Sequence, residues 1–554
     1  MRILMLLCLG CSFFLCQGQK QYLEITTAEK KVQTLLEQWN YQKQHDSPQK
    51  LQDELARVLL QLQKTGYIEA HYESPTAVND TLVKAPLKAG RLIPWIQLQA
   101  SSGMASLPES LRPKTPVTLP FSEWDQWVGL WVKKWERNGY PLATAQLTQI
   151  HIVQDTLKAT LTVQSGQPRK VNAIVVNGYE KFPTSHKKEL ERLFRNQTFN
   201  QENLEKLHKT IGQFRFVRAT KYPEILFTTD STKVFVYLEK VRANTFDGFL
   251  GFANSDGQQL VFNGYLDVSL TNVLNNGERM NLYWKSNGEE QRTFNVLFDQ
   301  PYIFKSPLAL KAQLNIFRQD STFQNTQTNI DIGYCLNYAS RVYLGYQAME
   351  SSDINNANTA LLRDFKNRFL TAQWLWTVRN TEEDALLFPD KTLLSLKLGW
   401  GSRTALEQKN SQFQGQLNLH HQIYLNKRNS IALRNQTFAL QSSSYLTNEL
   451  FRFGGINSVR GFNENTLQAN FMAALLSEYR YTLSNTLYLH SVLDYGYFQD
   501  QTTKVNGNLL GIGFGFGLLN KNGLLNFVYA NGTTNDQAIK LNNSIVQISL
   551  KTIF

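Results

Sequence analysis

The sequence has little cysteine outside its amino terminus. Cys8, Cys11 and Cys16 fall within the first 19 residues, and Cys335 is the only cysteine in the rest of the chain. One cysteine cannot form an internal disulfide, so covalent cross-links are excluded as a source of stability once those first residues are removed. This holds although the amino terminus predicts export to a compartment in which disulfides form.

The amino terminus has the layout of a secretory signal peptide. A basic residue, Arg2, precedes the apolar run ILMLLCLGCSFFL and the small or polar residues CQGQK, which predicts a leader over residues 1–19. Lipid attachment at Cys11 or Cys16 is the alternative, although the residues before each cysteine fit a lipoprotein cleavage site poorly. Both interpretations predict that the mature protein leaves the cytoplasm.

Long hydrophobic runs are also missing. After the leader, no apolar stretch approaches the roughly 20 residues that a membrane-spanning helix needs. The mean hydropathy of −0.34 likewise excludes a helical membrane protein. Transmembrane strands remain open, because a strand of about ten residues with every second residue apolar crosses a bilayer and barely changes the mean hydropathy.

Positive charge exceeds negative charge, with 57 Lys and Arg against 45 Asp and Glu and a formal net charge of +12. For an exported protein, this excess favours contact with anionic lipid or lipopolysaccharide surfaces. The sequence shows no zinc-ligand spacing, recognition helix or basic cluster with interleaved aromatics. Nucleic acid is therefore not a predicted partner.

The sequence lacks a catalytic pattern. Its 8 histidines are scattered, His420 and His421 lack metal-ligand spacing, and neither a serine elbow nor a phosphate-binding glycine loop is present. The segment GIGFGFG, residues 511–517, imitates such a loop but lies in an alternating strand pattern, where glycines admit close packing. We therefore predict that the protein is not an enzyme and has no catalytic residue, cofactor or metal.

Residues 21–240 alternate helical stretches with short strands. Gly66 and Gly139 each end a helix just before a strand, and each is followed by a tyrosine. Gly90 and Gly166 each lie in a turn between two strands, at nearly the same spacing. Two markers that recur at nearly one period predict a repeated module.

A third unit follows, with the order strand, helix, helix, strand, strand. Its first strand is expected over residues 171–178, and its last two over ATKYPEILFTT and TKVFVYLEK. Its first helix is expected around residues 187–194, after the capping residues Thr184 and Ser185. This order resembles a POTRA domain, the periplasmic module that precedes certain outer-membrane barrels, and the earlier units resemble divergent copies. Three α+β domains without common ancestry are the alternative. The predicted domains cover residues 20–95, 96–168 and 169–242.

The pattern changes after about residue 245, where helical signals end. Segments with period-two alternation follow one another, separated by turn sequences such as NNG and NKRN, which is typical of a long antiparallel meander. We predict sixteen strands, near residues 245–253, 258–270, 277–286, 291–299, 307–318, 326–337, 339–350, 366–379, 391–402, 412–425, 428–442, 468–482, 485–498, 506–519, 522–531 and 543–554.

An even number of antiparallel strands can close into a barrel and leave no unpaired backbone in lipid. The predicted fold class is a membrane β-barrel of about 16 antiparallel strands over residues 243–554, preceded by periplasmic α+β POTRA-like domains. With those domains in the periplasm, connections after even-numbered strands are periplasmic and short, whereas those after odd-numbered strands are extracellular. The segment TEEDALLFPD after the eighth strand is too long for this rule.

The last predicted strand, SIVQISLKTIF, places Val546, Ile548 and Leu550 on the same face as Phe554. It resembles the sorting signal of bacterial outer-membrane barrels, with Phe554 as its terminal residue. Phe, Tyr and Trp make up 12% of the chain, which is typical of aromatic girdles at a lipid interface. A soluble β-sandwich or propeller, the alternative, explains neither the terminal phenylalanine nor the strand lengths.

One extracellular connection, between the eleventh and twelfth predicted strands, contains the sequence RFGGINSVRGFNEN. LLSEYRY and VLDYGYF follow in the next two strands, and FDQPYIF occurs in an earlier turn. These sequences resemble motifs of the outer-membrane assembly factor superfamily, which includes the BamA and TamA types and two-partner secretion transporters. The resemblance implies a protein of the bacterial outer membrane with its amino-terminal domains in the periplasm. The loop motif of that superfamily is matched by Val459, Arg460, Gly461 and Phe462.

Glu478 and Asp494 are the acidic residues of those two following strands. Each alternates with aromatic or other apolar neighbours, so both acids point into the barrel lumen if the aromatics face lipid. Carboxylates in the lumen need a cation, and a guanidinium group can bind them bidentately. We predict that the loop folds inward and that Arg460 binds both acids. Gly461 then allows close backbone approach. An exposed arginine with both acids solvated is the alternative.

The resemblance implies a protein insertase or translocase. Such a protein captures unfolded outer-membrane or secreted client proteins by strand addition to its POTRA-like sheets, and inserts or translocates them through the barrel or its lateral seam. The seam joins the first strand, 245–253, to the last, 543–554, and Gly248 and Gly251 weaken the first strand. Outer-membrane lipid and lipopolysaccharide are further expected partners, with accessory periplasmic or lipoprotein subunits as candidates.

Two other functions remain open. A two-partner secretion type pore that exports one dedicated protein is the main alternative. It is disfavoured because no extra plug helix precedes the repeats, unless the helical segment 30–62 is one. A passive porin is the second alternative, and it would not need the repeats.

Overall fold

The computed structural model describes residues 20–79, 81–254, 260–287, 291–356, 358–382, 384–521, 523–534 and 544–554. The predicted leader and residues 258, 259, 522 and 543 of the predicted strands lie outside these ranges. The chain divides into two compact units. Residues up to Lys170 form one unit with Thr198–Glu202, and Val171–Gln197 with Asn203–Phe554 form the other.

The first α+β domain packs two helices on one face of a sheet with the order β2, β1, β5, β3. Apolar residues at helical spacing, including Val32, Leu36 and Val58, are buried against the sheet. The second helix begins where Ser47 Oγ accepts the backbone N–H of Lys50 at 3.3 Å. The elements are β1 (Gln21–Thr26), α1 (Lys30–Trp39), β2 (Gln44–His45), α2 (Pro48–Lys64), β3 (His71–Tyr72), β4 (Thr76–Ala77) and β5 (Leu82–Lys88).

The second domain has one long helix over a sheet with the order β7, β6, β9, β8. Trp135 of this helix is fully buried, and its indole N–H donates to the carbonyl of Leu111 at 2.8 Å. Short 3-10 turns stand where the first domain has its first helix. The elements are β6 (Trp95–Ala100), β7 (Val117–Pro120), α3 (Trp124–Arg137), β8 (Thr144–Val153) and β9 (Thr156–Gln164).

The predicted recurrence of Gly66 and Gly139 has a geometric cause. Both glycines follow a helix with positive φ, +107° and +92°. The carbonyl of Gly66 accepts the N–H of Ile93 at 3.0 Å, and that of Gly139 accepts the N–H of Arg169 at 2.7 Å. A Cβ at Gly66 would collide with Ile93, and one at Gly139 would lie 3.2 Å from the carbonyl oxygen of Arg169. Both corners therefore require glycine.

The third domain has the predicted order of strand, helix, helix, strand, strand, but two local predictions are wrong. Thr184 and Ser185 lie in the first turn of α4, whose N-cap is Pro183 and has no side-chain cap hydrogen bond. The strand expected over ATKYPEILFTT is split in two. The elements are β10 (Ala173–Asn177), α4 (Thr184–Phe194), α5 (Gln201–Gly212), β11 (Val217–Ala219), β12 (Glu224–Phe227) and β13 (Thr232–Lys240).

Sixteen antiparallel strands then close into a barrel, which confirms the predicted fold class. Each strand overlaps its predicted range. The barrel strands are β14 (Thr245–Asn254), β15 (Leu260–Thr271), β16 (Arg279–Asn287), β17 (Gln291–Ile303), β18 (Leu308–Gln319), β19 (Phe323–Cys335), β20 (Ser340–Asp353), β21 (Phe365–Arg379), β22 (Asp390–Ala405), β23 (Gln408–Tyr424), β24 (Asn429–Ser442), β27 (Phe471–Ser484), β28 (Leu487–Asp500), β29 (Val505–Asn520), β30 (Gly523–Thr534) and β31 (Ile545–Ile553). A short hairpin, β25 (Phe451–Phe453) and β26 (Leu467–Ala469), lies in the connection after β24.

Strand β28 illustrates the two faces of the barrel wall. Leu493 and Tyr495 are exposed on the outside, whereas Val492 and Asp494 are buried on the inside. The third domain packs against one end of the barrel, where Arg215 Nη2 donates to both carboxylate oxygens of Asp390 at 2.9 Å. We call this the domain end and the opposite one the far end.

No helix among the described residues is long and apolar enough to cross a membrane.

The long connection between β21 and β22 is at the domain end but turns inward. Leu387 and Phe388 are buried, and the Asn380 side-chain amide donates to Asp384 Oδ1 at 2.8 Å and to the carbonyl of Phe388 at 2.9 Å. The strands on both sides are regular apart from one bulge near Arg379. The length of TEEDALLFPD therefore reflects a segment that packs inside the barrel, and we call residues 380–389 the inner turn.

Candidate functional site

The connection after β24 folds into the barrel. Its hairpin β25–β26 is a stem, and residues 454–466 between the two strands form what we call the inner loop. On one side, Arg460 contacts β27 and β28. On another, Glu464 accepts the hydroxyl of Tyr283 on β16 at 3.0 Å and pairs with Lys285. The inner loop therefore spans the lumen.

Arg460 is held by Asp494 through three hydrogen bonds. Its backbone N–H and its Nε donate to Asp494 Oδ2 at 2.9 and 2.8 Å, and its Nη2 donates to Oδ1 at 2.5 Å. Arg460 is 1% exposed and Asp494 is 0% exposed. The bidentate arrangement compensates the charge of both groups in a place that water barely reaches.

Glu478 is shared by three guanidinium groups. Its Oε1 accepts Arg460 Nη1 and lies 3.4 Å from Arg434 Nη2, and its Oε2 accepts Arg480 Nε at 2.8 Å. Arg460 therefore belongs to a larger ionic network of the barrel wall. The structure brings together the predicted residues Arg460, Glu478 and Asp494.

Three glycines allow the backbone of the inner loop to touch the wall. Gly461 has φ +87°, and a Cβ there would collide with Gly532 of β30. A Cβ at Gly532 would lie 2.5 Å from the carbonyl oxygen of Gly461, and one at Gly511 of β29 would collide with the carbonyl of Arg460. Gly511 belongs to the segment GIGFGFG, so this segment serves close packing inside the barrel.

The two apolar residues of the motif fix the loop by packing. Val459 is fully buried in a cluster with Phe453 and Met472, and Phe462 packs against the same cluster. The motif thus combines one charged contact, one close backbone approach and two apolar contacts.

Sequence reasoning missed Arg434 and Arg480 as partners of Glu478. The sequence did indicate Arg480, because this residue lies two positions after Glu478 in the same strand and therefore on the same face. Arg434 lies on the neighbouring strand β24, where only the register shows that it is close. Within the described part of the chain, no group of three or more His, Cys, Asp and Glu could hold a metal ion.

Strands β14 and β31 close the barrel through a short contact. β14 shares ten residue pairs with β15, and β31 shares eight with β30. Residues 247–254 and 545–551, whose backbones the structure describes, are not paired with each other. The pairs across the seam are Thr245 with Ile553 and Phe246 with Thr552.

Phe554, the residue that we predict to end the sorting signal, lies beside this seam. Its backbone N–H donates to the carbonyl of Asn244 at 2.9 Å, and its carbonyl accepts the N–H of Asn244 at 3.3 Å. Its side chain is half-exposed. Phe554 therefore takes part in the closure of the barrel.

Comparison with known proteins identifies the family of the barrel. Residues 272–547 match the Omp85 superfamily domain. The barrel is that of an Omp85 superfamily protein. A comparison of the sequence with curated proteins found no match.

Solved structures resemble this Omp85 chain over most of its length. CdiB from Acinetobacter baumannii is 14% identical, with 91% of this chain and 98% of that chain covered and a TM-score of 0.52. CdiB from Escherichia coli is 14% identical, with 96% and 100% covered and a TM-score of 0.51. BamA from Haemophilus ducreyi lacking POTRA domains 1–3 is 13% identical, with 83% and 99% covered and a TM-score of 0.47. At these identities, the CdiB structures show a common fold.

A sixteen-stranded Omp85 barrel implies the bacterial outer membrane, and the chain carries POTRA-like domains before it. Omp85 superfamily proteins are transporters or insertases, and their partners in general are client polypeptides. Inside this Omp85 barrel, a cavity of about 990 Å³ is lined by residues of the Arg460 network, of the inner turn and of β31.

Proposed function

We propose that this protein inserts or translocates client polypeptides at the outer membrane, with its α+β domains in the periplasm. The short seam between β14 and β31 carries the proposal. Two residue pairs join these strands, against ten between β14 and β15. A strand pair with few hydrogen bonds opens at low cost, and its free edges can template an incoming strand.

The cavity inside the barrel supports the same proposal. Its lining includes Gln547 and Lys551 of β31 together with Val546 and Ile548, which alternate with them along the strand. Residues from both faces of β31 therefore border one space. A client strand entering the lumen would reach the seam without crossing the barrel wall.

An edge strand of the second domain is the candidate client-capture surface. β8 is ten residues long, lies at the edge of its sheet and is mostly exposed. Ile150 and Ile152 are exposed on it at 55% and 39%. Long apolar edge strands are unusual in soluble domains unless they pair with a partner. We expect extended client segments to add to this edge through main-chain hydrogen bonds.

A disulfide across the seam tests the insertase mechanism. In a Cys335→Ala background, Thr245→Cys with Ile553→Cys links two residues that pair across the seam. The oxidised protein is expected to lose client insertion, measured with purified protein in liposomes, and reduction is expected to restore it. The matched control is Ser269→Cys with Asn281→Cys, which pair across β15 and β16. Full activity of the oxidised seam variant would contradict the mechanism.

A two-partner secretion type pore is the second candidate, favoured by the fold shared with the CdiB structures over 91% and 96% of this chain. The two functions differ in the number of clients. Depletion of the protein followed by outer-membrane and exoprotein proteomics separates them. An insertase predicts loss of many barrel proteins, a dedicated pore predicts loss of one exoprotein, and no loss would contradict both.

A further inference from the structure

A cavity of about 130 Å³ lies at the domain end, between the third domain and the ends of β16, β17, β20 and β21. We call it the arginine cavity. Four guanidinium groups line it, Arg215 from the third domain and Arg279, Arg341 and Arg379 from the barrel. One carboxylate, that of Asp299, also lines it. The volume holds several water molecules or one small polyatomic ion.

Two of the four arginines have carboxylate partners. Arg341 Nη1 lies 3.2 Å from Asp299 Oδ2, and Arg215 Nη2 lies 2.9 Å from both oxygens of Asp390. These contacts compensate two positive charges.

The other two arginines form no ion pair within 4.0 Å with a described carboxylate, and Asp299 and Asp390 act on them only from farther away. Arg379 Nη1 donates to the carbonyl of Phe214 at 2.9 Å, while its buried Nε has no hydrogen-bond partner among the described residues. Arg279 Nε donates to Asn281 Oδ1 at 3.2 Å, and no described carboxylate lies within 4.0 Å of its guanidinium. Two positive charges are therefore left without a paired carboxylate around one partly enclosed space, which is costly without an anion.

We propose that the arginine cavity binds a phosphate group, either free phosphate or a lipid headgroup. A phosphate carries a charge close to −2 at neutral pH, which matches the two arginines without a paired carboxylate. Its oxygens point in tetrahedral directions and can accept from guanidinium groups on different strands at once, whereas a carboxylate offers two oxygens and one charge. Arg279 and Arg379 are the principal ligands.

Phosphate binding links the third domain to the barrel. Arg215 and Phe214 belong to the third domain, and Arg279 and Arg379 to the barrel. An anion held among them stabilises the docked arrangement, because a ligand that binds only this arrangement increases its population.

Equilibrium dialysis of the full-length protein in detergent, with radiolabelled inorganic phosphate in about 150 mM NaCl, tests the proposal. The expected result is saturable binding that Arg279→Gln weakens at least about tenfold, equivalent to about 1.4 kcal/mol. Arg379→Gln is the second variant and is expected to act in the same way. Arg428→Gln is the control, because Arg428 is exposed in the turn between β23 and β24. Each variant is first checked for a folded barrel by its heat-dependent mobility on gels.

A second arm replaces free phosphate by dihexanoylphosphatidic acid, whose phosphomonoester presents on a lipid a charge close to that of free phosphate. Tighter binding of the lipid assigns the site to a headgroup, and equal or tighter binding of free phosphate assigns it to the soluble anion. Both results support the site if the Arg279 or Arg379 variant loses binding. The proposal is overturned if neither probe binds saturably up to about 10 mM, or if both variants bind like the parent protein.

Discussion

Arg460 shows how one residue can hold a loop inside a barrel. Its guanidinium is buried between Asp494 and Glu478, while its backbone N–H also binds Asp494. A buried ion pair adds modest net stability compared with an apolar contact of similar size, but removing one partner leaves an uncompensated charge. Arg460 therefore determines where the inner loop lies more than how stable the barrel is overall.

We predict that Arg460→Ala destabilises the folded barrel by about 3–5 kcal/mol, because two acids lose a shared cation. Arg460→Lys keeps the charge but cannot donate in the bidentate arrangement, so its stability should lie between those of the parent protein and Arg460→Ala. The measurement is the temperature at which the folded band disappears in heat-modifiability gels. Arg428→Ala, in an exposed turn, is the control. An Arg460→Ala protein that is as stable and active as the parent would leave the loop contact without a role.

Gly461→Ala is predicted to release the inner loop without removing any charge. A Cβ would collide with Gly532, and the φ of +87° is itself unfavourable for alanine. Limited proteolysis should therefore cleave residues 454–466 faster in this variant. Gly415→Ala is the matched control, because a Cβ there would meet its nearest neighbour at 3.7 Å. Equal cleavage of both variants would argue against close backbone contact.

At the scale of elements, helix α4 docks the third domain on the barrel through one histidine. His186 is fully buried against Gly277 and lies 5.0 Å, centroid to centroid, from Tyr302. Its Nδ1 lies 3.4 Å from Ser185 Oγ, and its Nε2 has no partner among the described residues. Burial, with a smaller contribution from the charge of Arg341, lowers the pKa of His186 to about 3.

This pKa predicts acid-sensitive docking. The unfolded histidine has a pKa near 6.5, so between pH 6.5 and 3 the undocked state binds a proton that the docked state does not. Docking is therefore strongest above pH 6.5 and weakens by about 1.4 kcal/mol per pH unit below it. Hydrogen exchange of α4 measures this. His186→Gln should flatten the dependence, and His71→Gln, at an exposed site, should not. A parent protein with pH-independent exchange protection would exclude the effect.

The inner turn connects the domain end to the Arg460 network. Phe388 packs against Tyr488 with ring centroids 4.7 Å apart, and Arg480 Cζ lies 4.4 Å from the centroid of the Phe388 ring. Arg480 in turn binds Glu478, which also binds Arg460. Asp390, which follows the inner turn directly in the chain, binds Arg215 of the third domain, so the inner turn joins this docking contact to the Arg460 network.

Phe388→Ala is predicted to destabilise the barrel by about 3–5 kcal/mol, because it leaves a cavity and removes the cation–π contact of Arg480. Urea unfolding followed by tryptophan fluorescence measures this. Leu386→Ala is the control in the same turn, since Leu386 is 71% exposed. If both substitutions have the same small effect, the inner turn does not pack as a part of the core.

At the scale of the whole molecule, the inner loop and the inner turn occupy part of the space inside sixteen strands and border a cavity of about 990 Å³. We predict that replacing residues 455–464 by a short Gly-Ser linker raises single-channel conductance in planar bilayers several-fold, because the lumen then loses the segment that spans it. In Arg460→Ala, the inner loop should leave the lumen only part of the time, so the conductance should rise intermittently from the low level of the parent protein. An unchanged conductance would show that another segment blocks the lumen.

The barrel was predictable because its signal is local and repeated. Period-two alternation between turns located all sixteen strands, and the even count allowed closure. Glu478 and Asp494 were predictable as lumen residues for the same reason. The prediction that Thr184 and Ser185 cap α4 was wrong, because the N-cap position is occupied by Pro183, which offers no side-chain acceptor. The stem β25–β26 was missed because three-residue strands carry no periodic signal.

The sequence alone determined that the chain forms a closed barrel behind α+β domains, because strand alternation and glycine-tyrosine corners are properties of neighbouring residues. Which charged side chains lie together follows from the folded arrangement and not from any local pattern. Arg434 lies near Glu478 because of the strand register, and the arginine cavity brings together four arginines from distant parts of the chain. The short seam is likewise a long-range feature. Its two residue pairs depend on where the last strand meets the first once the fourteen strands between them have paired. Long-range contacts of this kind depend on the register between strands, which no local pattern encodes.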